Sequence, residues 1–401
     1  MSLIHNREEE FPALKKYKVY LNTAGTGLYP RRAYEAIREF TEKTIKNEWK
    51  NLREEVEKPT KEEISKLINC KPHEISFSVQ TTDGLKRLLL SLNLKKGMNI
   101  VGADLEFPSI SFGAESLCRK IGCETRIVNH RDGVYNLEDF EEEIDENTRA
   151  VAISSVQWIN GAMVDLKELC KIAHEKGALV IIDGIQHVGA ITLDVKKTGI
   201  DAMAVGGEKW LINSNIGSGF IYVSDEAVKE LEPPIYGLAN FKPPEAGWGE
   251  WWPLRDKDVW HLMEPAEDAS KYEWGGGKPY VLLESLRSCI KLINQIGIEE
   301  IEKHNRRLKE KLVDTALGSG YRILGYVENQ NLWSSITNIS LGMKYTKELE
   351  LVRRLSEQGI QVSYRGAAGI SGIRISPHFY NTKEDVEKFF EELERIKKKE
   401  S

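Results

Sequence analysis

Over most of this chain, short apolar runs alternate with segments whose apolar residues recur at helical spacing, and that alternation predicts its elements. Residues 31–69 open the series as helices, in "RRAYEAIREFTEKTIKNEWKNL" and "KEEISKLIN". Then "EISFSV" precedes "TTDGLKRLLLSL", "MNIVGAD" precedes "FGAESLCRKIG", and "AVAISSV" precedes "DLKELCKIAHEKG". "ALVIID" and "DAMAVGG" follow as further strands. Strands apolar on both faces and separated by helices predict a mainly parallel sheet sandwiched by helices, an α/β fold.

The rhythm stops between 233 and 280. Proline pairs stand at 233–234 and 243–244, and five of the nine tryptophans gather there: Trp248, Trp251, Trp252, Trp260 and Trp274. So aromatic a stretch predicts an interface or a loop wrapped on the body, with a substrate lid as the alternative. Beyond it, "YVLLESLRSCIKLINQIG" and "IEEIEKHNRRLKEKLVDTAL" read as helices. Strands "SITNISL" and "IQVSYR" flank a helical "TKELELVRRLSEQG", and "GIRISP" leads to a last amphipathic helix. The expected organisation is an N-terminal segment 1–30, a large domain 31–279 and a smaller C-terminal α+β domain 280–401, without internal repeats.

Composition narrows the function classes. A chain of 401 residues, 41% hydrophobic and 29% charged, is that of an ordinary globular protein with more than one core. A net charge of −6 gives no electrostatic reason to expect nucleic acid or an anionic membrane as partner. The basic "RIKKKE" at 395–400 reads as a solvated helix end. Cys70, Cys118, Cys123, Cys170 and Cys289 are odd in number and form no CxxC pair, which fits a reducing cytosol rather than a disulfide framework. No apolar run approaches the roughly 20 residues that span a bilayer, so a cytoplasmic protein is expected.

Candidate chemistry collects at strand ends. In a parallel sheet, ligands gather where strands finish at their carboxyl ends. Asp183 closes "VIID", Lys209 follows "AVGGE", "TTDG" follows "ISFSV", and "LEFPS" follows "NIVGAD". Singly, these residues read as a turn or cap, a solvated lysine, an N-cap and a core aromatic. Jointly they describe an anion cradle at a helix N-terminus, an aromatic plate, a buried carboxylate and a lysine. Pyridoxal 5′-phosphate (PLP) needs that set. Its aldehyde joins a lysine and its pyridine nitrogen wants a carboxylate, which keeps the nitrogen protonated. The lysine must be partly desolvated to be a neutral nucleophile. No metal is expected.

The chain resembles the class V aminotransferase family of fold-type I PLP-dependent enzymes, which holds cysteine desulfurases, isopenicillin-N-epimerase-like proteins and kynureninases. The resemblance runs through "YLNTAGTGLYP" (20–30), "SVQTTDGL" (78–85), "DGIQHVGAITLDVKKTGIDAMAVGGEKWL" (183–211), "YEWGGGKPY" (272–280) and "GIRISPHFYNTKEDVEKF" (372–389). It implies that Lys209 binds the cofactor covalently and Asp183 pairs with the ring nitrogen. It further implies that Gln186 bonds the ring hydroxyl, Phe107 stacks on the ring, and Thr81 and Thr82 hold the phosphate. Arg374 would take an amino-acid substrate's carboxylate, with Asn22 and Ala24 lining the pocket. Gly276 and Gly277 would reach a partner's site, implying a homodimer.

Some positions depart from the family. "GGE" stands before the lysine where many relatives have serine and histidine, so Glu208 is expected to turn toward substrate or solvent. The usual asparagine after "SSV" is replaced by Trp158, or supplied by Gln157 in a shifted register. Desulfurases carry a nucleophilic cysteine in the loop matching "SYRGAAGISGIR" (363–374), and this loop has none. The resemblance therefore implies α-proton abstraction from an amino acid, leading to transamination or C–S/β-elimination in the isopenicillin-N-epimerase-like branch. Desulfuration and epimerisation are alternatives, the latter with His187, Tyr364 or Arg365 as second acid by position. A non-catalytic PLP-binding regulator is the reading from another class.

Overall fold

A computed structural model describes residues 2–398 apart from 246, 248, 250–252 and 254–262. Trp248, Trp251, Trp252 and Trp260 therefore lie outside the described residues. Trp274 is described, and the Arg87 guanidinium stacks 5.0 Å from its ring centre.

After a short strand β1 (Val19–Tyr20) come the seven strands of the main sheet. They are β2 (Ile75–Ser78), β3 (Asn99–Ala103), β4 (Glu124–Val128), β5 (Thr148–Ser154), β6 (Leu179–Asp183), β7 (Ala202–Gly206) and β8 (Gly219–Val223). Their order across the sheet is β2-β8-β7-β6-β5-β3-β4. All run parallel except β8, which is antiparallel to both of its neighbours. Two apolar layers account for the unbroken apolar runs. Val101, Val151, Ile153, Val180, Ile182, Met203 and Val205 face one core. Their chain neighbours Ile100, Ala150, Ala152, Ile181, Ala202 and Ala204 face the other. Between β5 and β6, Asp165 caps the Leu166–Glu175 helix by accepting from the Lys167 and Glu168 backbone N–H groups.

Two strands escape the alternation of buried strand and helix. β4 lies at the sheet edge with Glu124 and Ile127 exposed, so its run is mostly polar. β8 follows β7 through a loop instead of a helix.

A second core is built on a four-stranded antiparallel sheet ordered β12-β13-β10-β9. Here β9 is Arg322–Leu324, β10 Thr337–Ser340, β12 Ser363–Ala367 and β13 Ile370–Ile375, while β11 (Ile360–Gln361) pairs in parallel with β1. Near position 280, where the smaller domain is expected to begin, two helices pack in turn on the two cores. The Tyr280–Ile296 helix buries Leu283, Leu286, Ile290 and Ile293 in the first core, and the next helix (Ile298–Gly318) carries Ile301 there but Leu308 and Leu312 in the second. Val19 and Leu21 also join the second core. Amphipathic spacing shows that a helix has a buried face but not which core receives it.

Among the described residues, no helix is long and apolar enough to cross a membrane.

Candidate active site

Because β2, β3, β5, β6 and β7 run parallel, the segments leaving them meet at one edge of the sheet. Asp183 ends β6, fully within the apolar layers. Gly184 follows because a Cβ there would come within 2.5 Å of Met203 Sδ on β7. The Asp183 carboxylate accepts the Ile185 N–H at 3.0 Å. Burial lifts its acid to about 6, against the pull of that bond and of Lys209.

Lys209 lies beyond β7, its backbone clamped by the N-terminal segment. Gly27 N–H donates to the Glu208 carbonyl at 2.8 Å, and a Cβ on Gly27 would lie 2.1 Å from the Lys209 carbonyl oxygen. Burial pulls the Lys209 amine down to about 8; Asp183 opposes that fall, and Arg374 and Arg365 add to it. The ammonium stands 5.6 Å from the centre of the Phe107 ring. Phe107 is 39% exposed and meets Trp158 edge-on at 5.3 Å. Pro108 at the first turn of the Pro108–Ile121 helix leaves Phe107 extended just ahead of it, so the ring stands at the strand end.

Thr81 and Thr82 open the Thr81–Leu90 helix. The Thr81 hydroxyl accepts the Gly206 N–H at 2.9 Å, and the Thr82 hydroxyl pairs with that of Ser109 at 2.7 Å. A Cβ on Gly206 would meet Glu208 Oε2 at 2.4 Å and Thr81 Oγ1 at 3.0 Å. Glu208 thus folds back over Gly206 toward the helix start while staying half-buried. The space that a side chain at 206 would fill is taken by its carboxylate.

Arg374 lies on β13, buried among neutral acceptors. Its Nη1 donates to the Trp158 carbonyl at 2.6 Å and its Nε to the Ser363 hydroxyl at 3.1 Å. Burial and the neighbouring Arg365 pull it down to about 9. Asn22 bridges to Ser376, and its Oδ1 is buried without a partner among the described residues. Ala24 N–H donates to the Ser376 hydroxyl at 3.0 Å.

Other expected residues are engaged elsewhere. Gln186 spends both amide ends inside the protein, donating to the Ala24 carbonyl at 3.1 Å and accepting the Trp210 indole N–H at 2.7 Å. His187 turns to the Thr192 carbonyl and burial takes its imidazole down to about 4. The Tyr364 hydroxyl donates to Ser371 at 2.8 Å, across the β12–β13 hairpin, and Arg365 donates to the Tyr364 carbonyl at 2.7 Å. Gly276 lines a different cavity of about 840 Å³ with Arg53, Lys61 and Lys278, and none of the residues around Lys209 lines it. A Cβ on Gly276 or Gly277 would meet nothing within 4 Å.

The sequence reading passed over Glu106, which sits directly before Phe107. Both of its carboxylate oxygens accept the Ser154 N–H at 2.9 Å, and one takes the Gln157 Nε2 donor at 2.7 Å. Burial raises its acid to about 7; these bonds oppose the rise and Asp183's charge adds to it. Lone acids in loops usually face water, and only the far-off Ser154 and Gln157 turn this one inward.

The donor set fits a flat phosphorylated aldehyde. An amine and a carboxylate share the site with an aromatic ring, a helix start and the Thr81 hydroxyl lie beside them, and the acceptors Asn22 Oδ1 and Gln157 Oε1 have no partner among the described residues.

The family model for aminotransferase class-V matches residues 19–389. The chain belongs to that family. A probable cysteine desulfurase of Methanothermobacter thermautotrophicus is 27% identical over 407 residues, covering 96% of each chain. An uncharacterized Schizosaccharomyces pombe protein is 30% identical over 349 residues, 85% of this chain and 74% of that one. The apo structure of a cysteine desulfurase from Thermococcus onnurineus NA1 superposes with a TM-score of 0.83 at 23% identity, covering 99% of this chain and 98% of that one. A complex of the cystine C–S lyase C-DES with its product cysteine persulfide has the same TM-score, 0.83, at 19% identity, covering 96% and 98%. The fold is thus that of fold-type I PLP enzymes, and this class V chain is a PLP-dependent enzyme.

Proposed function

We propose that this chain removes the α-proton of an amino acid and expels a sulfur substituent from its β-carbon, a C–S lyase reaction that uses no protein thiolate. One observation carries the reading: the Lys209 amine, lowered to about 8, shares its site with Asp183 and Arg374 while the 363–374 loop holds no cysteine.

PLP, when bound, supplies an electron sink for the carbon that loses its proton. Lys209 Nζ, neutral above its lowered pKa, takes that proton and returns it to the departing sulfur, which leaves with the C–S electron pair. Asp183 would hold the ring nitrogen's positive charge. Arg374 keeps free N–H donors beyond its bonds to Trp158 and Ser363, enough for a two-point grip on a carboxylate. Phe107, 5.6 Å from the Lys209 ammonium, would offer its face to the cofactor ring.

Several curated relatives bear the name probable cysteine desulfurase. Taking sulfur onto the protein needs a thiolate. Burial drives the Cys70 and Cys118 thiols up to about 12 and raises those of Cys123, Cys170 and Cys289 as well. Elimination leaves the sulfur on the product and asks nothing of them. C-DES, described as a cystine C–S lyase, supplies the precedent among the similar folds.

The experiment is product analysis of purified holoenzyme with cystine, cysteine and a panel of other amino acids. Pyruvate and ammonia, with cysteine persulfide from cystine, are expected. Formation of the keto acid matching each amino acid makes it an aminotransferase. Racemised substrate carrying deuterium from heavy water makes it an epimerase. The 275–277 glycine turn supports a homodimer in which Gly276 and Gly277 enter the partner's site, and sedimentation at a monomer's mass sinks that part.

A further inference from the structure

Glu106 has no part in the chemistry above, yet the best-bonded carboxylate at the sheet edge is this one. It is 7% exposed, and its oxygens accept from the Ser154 N–H, the Ser154 hydroxyl and Gln157 Nε2. Ser154 is the register partner of Asp183 across β5 and β6, so the Glu106 cluster adjoins the ring-nitrogen carboxylate. Gln157 is 0% exposed, and it precedes Trp158, whose carbonyl holds Arg374 and whose ring packs on Phe107.

An ionised carboxylate only accepts hydrogen bonds. Gln157 gives Glu106 its NH₂ end at 2.7 Å, the orientation that the carboxylate enforces once ionised above about pH 7, and Oε1 is turned the other way. That Oε1 is buried and has no partner among the described residues. A buried acceptor left unpaired is destabilising, so a donor is needed there.

We propose that Glu106 is a positioning residue: it fixes the polarity of the Gln157 amide, so that the site presents an acceptor to the ring hydroxyl of the bound cofactor and favours its protonated form. This rests on the PLP reading and deepens it by naming which group sets the cofactor's proton affinity. In E106Q the new amide gives its oxygen to the Ser154 N–H and turns its NH₂ toward Gln157. The Gln157 amide then reverses and shows the cofactor a donor, which favours the deprotonated oxygen.

The test is a pH titration of the visible band of PLP-loaded wild type, E106Q, E106D, Q157L and E106Q/Q157L, with thermal melting as the check on folding. E106Q is expected to lower the band's apparent pKa by about one unit, a tenfold loss of proton affinity. E106D keeps an acceptor-only group and retains the wild-type titration. Q157L lowers the pKa by less than E106Q, and the double variant titrates like Q157L, because Glu106 acts only through Gln157. A wild-type titration in E106Q, or an E106Q effect that survives in the Q157L background, overturns the proposal. Should E106Q fail to fold, Q157L decides, and an unchanged pKa there overturns it. Colourless wild type that takes up no PLP sinks the PLP reading itself, whereas coloured protein with an unmoved E106Q sinks only this inference.

Discussion

Lys209 and Lys309 are two lysines whose amines burial pulls far below the ordinary value, to about 8 and about 7. Each stands near an aromatic face, Phe107 at 5.6 Å and Trp333 at 5.3 Å. Their settings differ in what lies opposite. Lys209 faces Asp183, two arginines and a half-open ring at the meeting point of several strand ends. Lys309 sits inside the second core, on the Ile298–Gly318 helix, donating to the Ile336 carbonyl at 2.8 Å. A shifted pKa is therefore shared by the amine proposed to react and a merely buried one. Chemistry needs a counter-charge and room for a ligand as well.

The largest effect that separates the two is loss of the amine. K209A should lower kcat/KM at least ~1000-fold, the upper range for a general base, and abolish the covalently held colour. K309M should keep both within about twofold. Equal losses in the two variants would erase the distinction. Next comes the counter-charge, since D183N should cost ~100-fold in kcat with the fold intact, as measured by steady-state kinetics beside a melting curve.

A smaller effect is carried by pH. An amine at about 8 is one-tenth neutral at pH 7, so the rate of colour development on adding PLP should rise about tenfold from pH 7 to 9 and then level. A rate still climbing steeply above pH 9 would mean an ordinary lysine. The smallest effect belongs to Lys309. Its folded pKa lies below its unfolded one, so between about 7 and the ordinary lysine value the unfolded chain binds more protons, and stability rises with pH. Replacing it with methionine should remove that rise and move Tm at pH 7 upward by a few degrees. A slope that is the same in both proteins would show that Lys309 keeps its proton on folding.

Much of the large domain was legible because β3, β5, β6 and β7 are buried on both faces and separated by amphipathic helices. β4 was not, since an edge strand needs only one buried end and Glu124 and Ile127 face outward. The spacing of the Tyr280–Ile296 helix shows a buried face but not its partners, the helices Arg31–Ile45 and Lys58–Ile68, which lie far away in sequence. At the site, Asp183, Lys209, Thr81 and Phe107 stand out as strand-end residues. Glu106 stood in the quoted "LEFPS" and passed unremarked, since nothing local tells a buried acid from a solvated one. Gln186 is expected to bond the ring hydroxyl, and nothing local shows that its amide also bonds Ala24 and Trp210.

By itself the sequence determined which segments become strands and helices, and the order in which reactive groups arrive at the strand ends, because periodicity and turn chemistry are local. Only the tertiary structure decided which way Glu208 folds, that Glu106 grips Ser154 and Gln157, and that Arg374 comes from the second core to the edge of the first. Those outcomes depend on burial and on hydrogen-bond partners more than forty residues away, and desolvation can be priced only once the neighbours are in place.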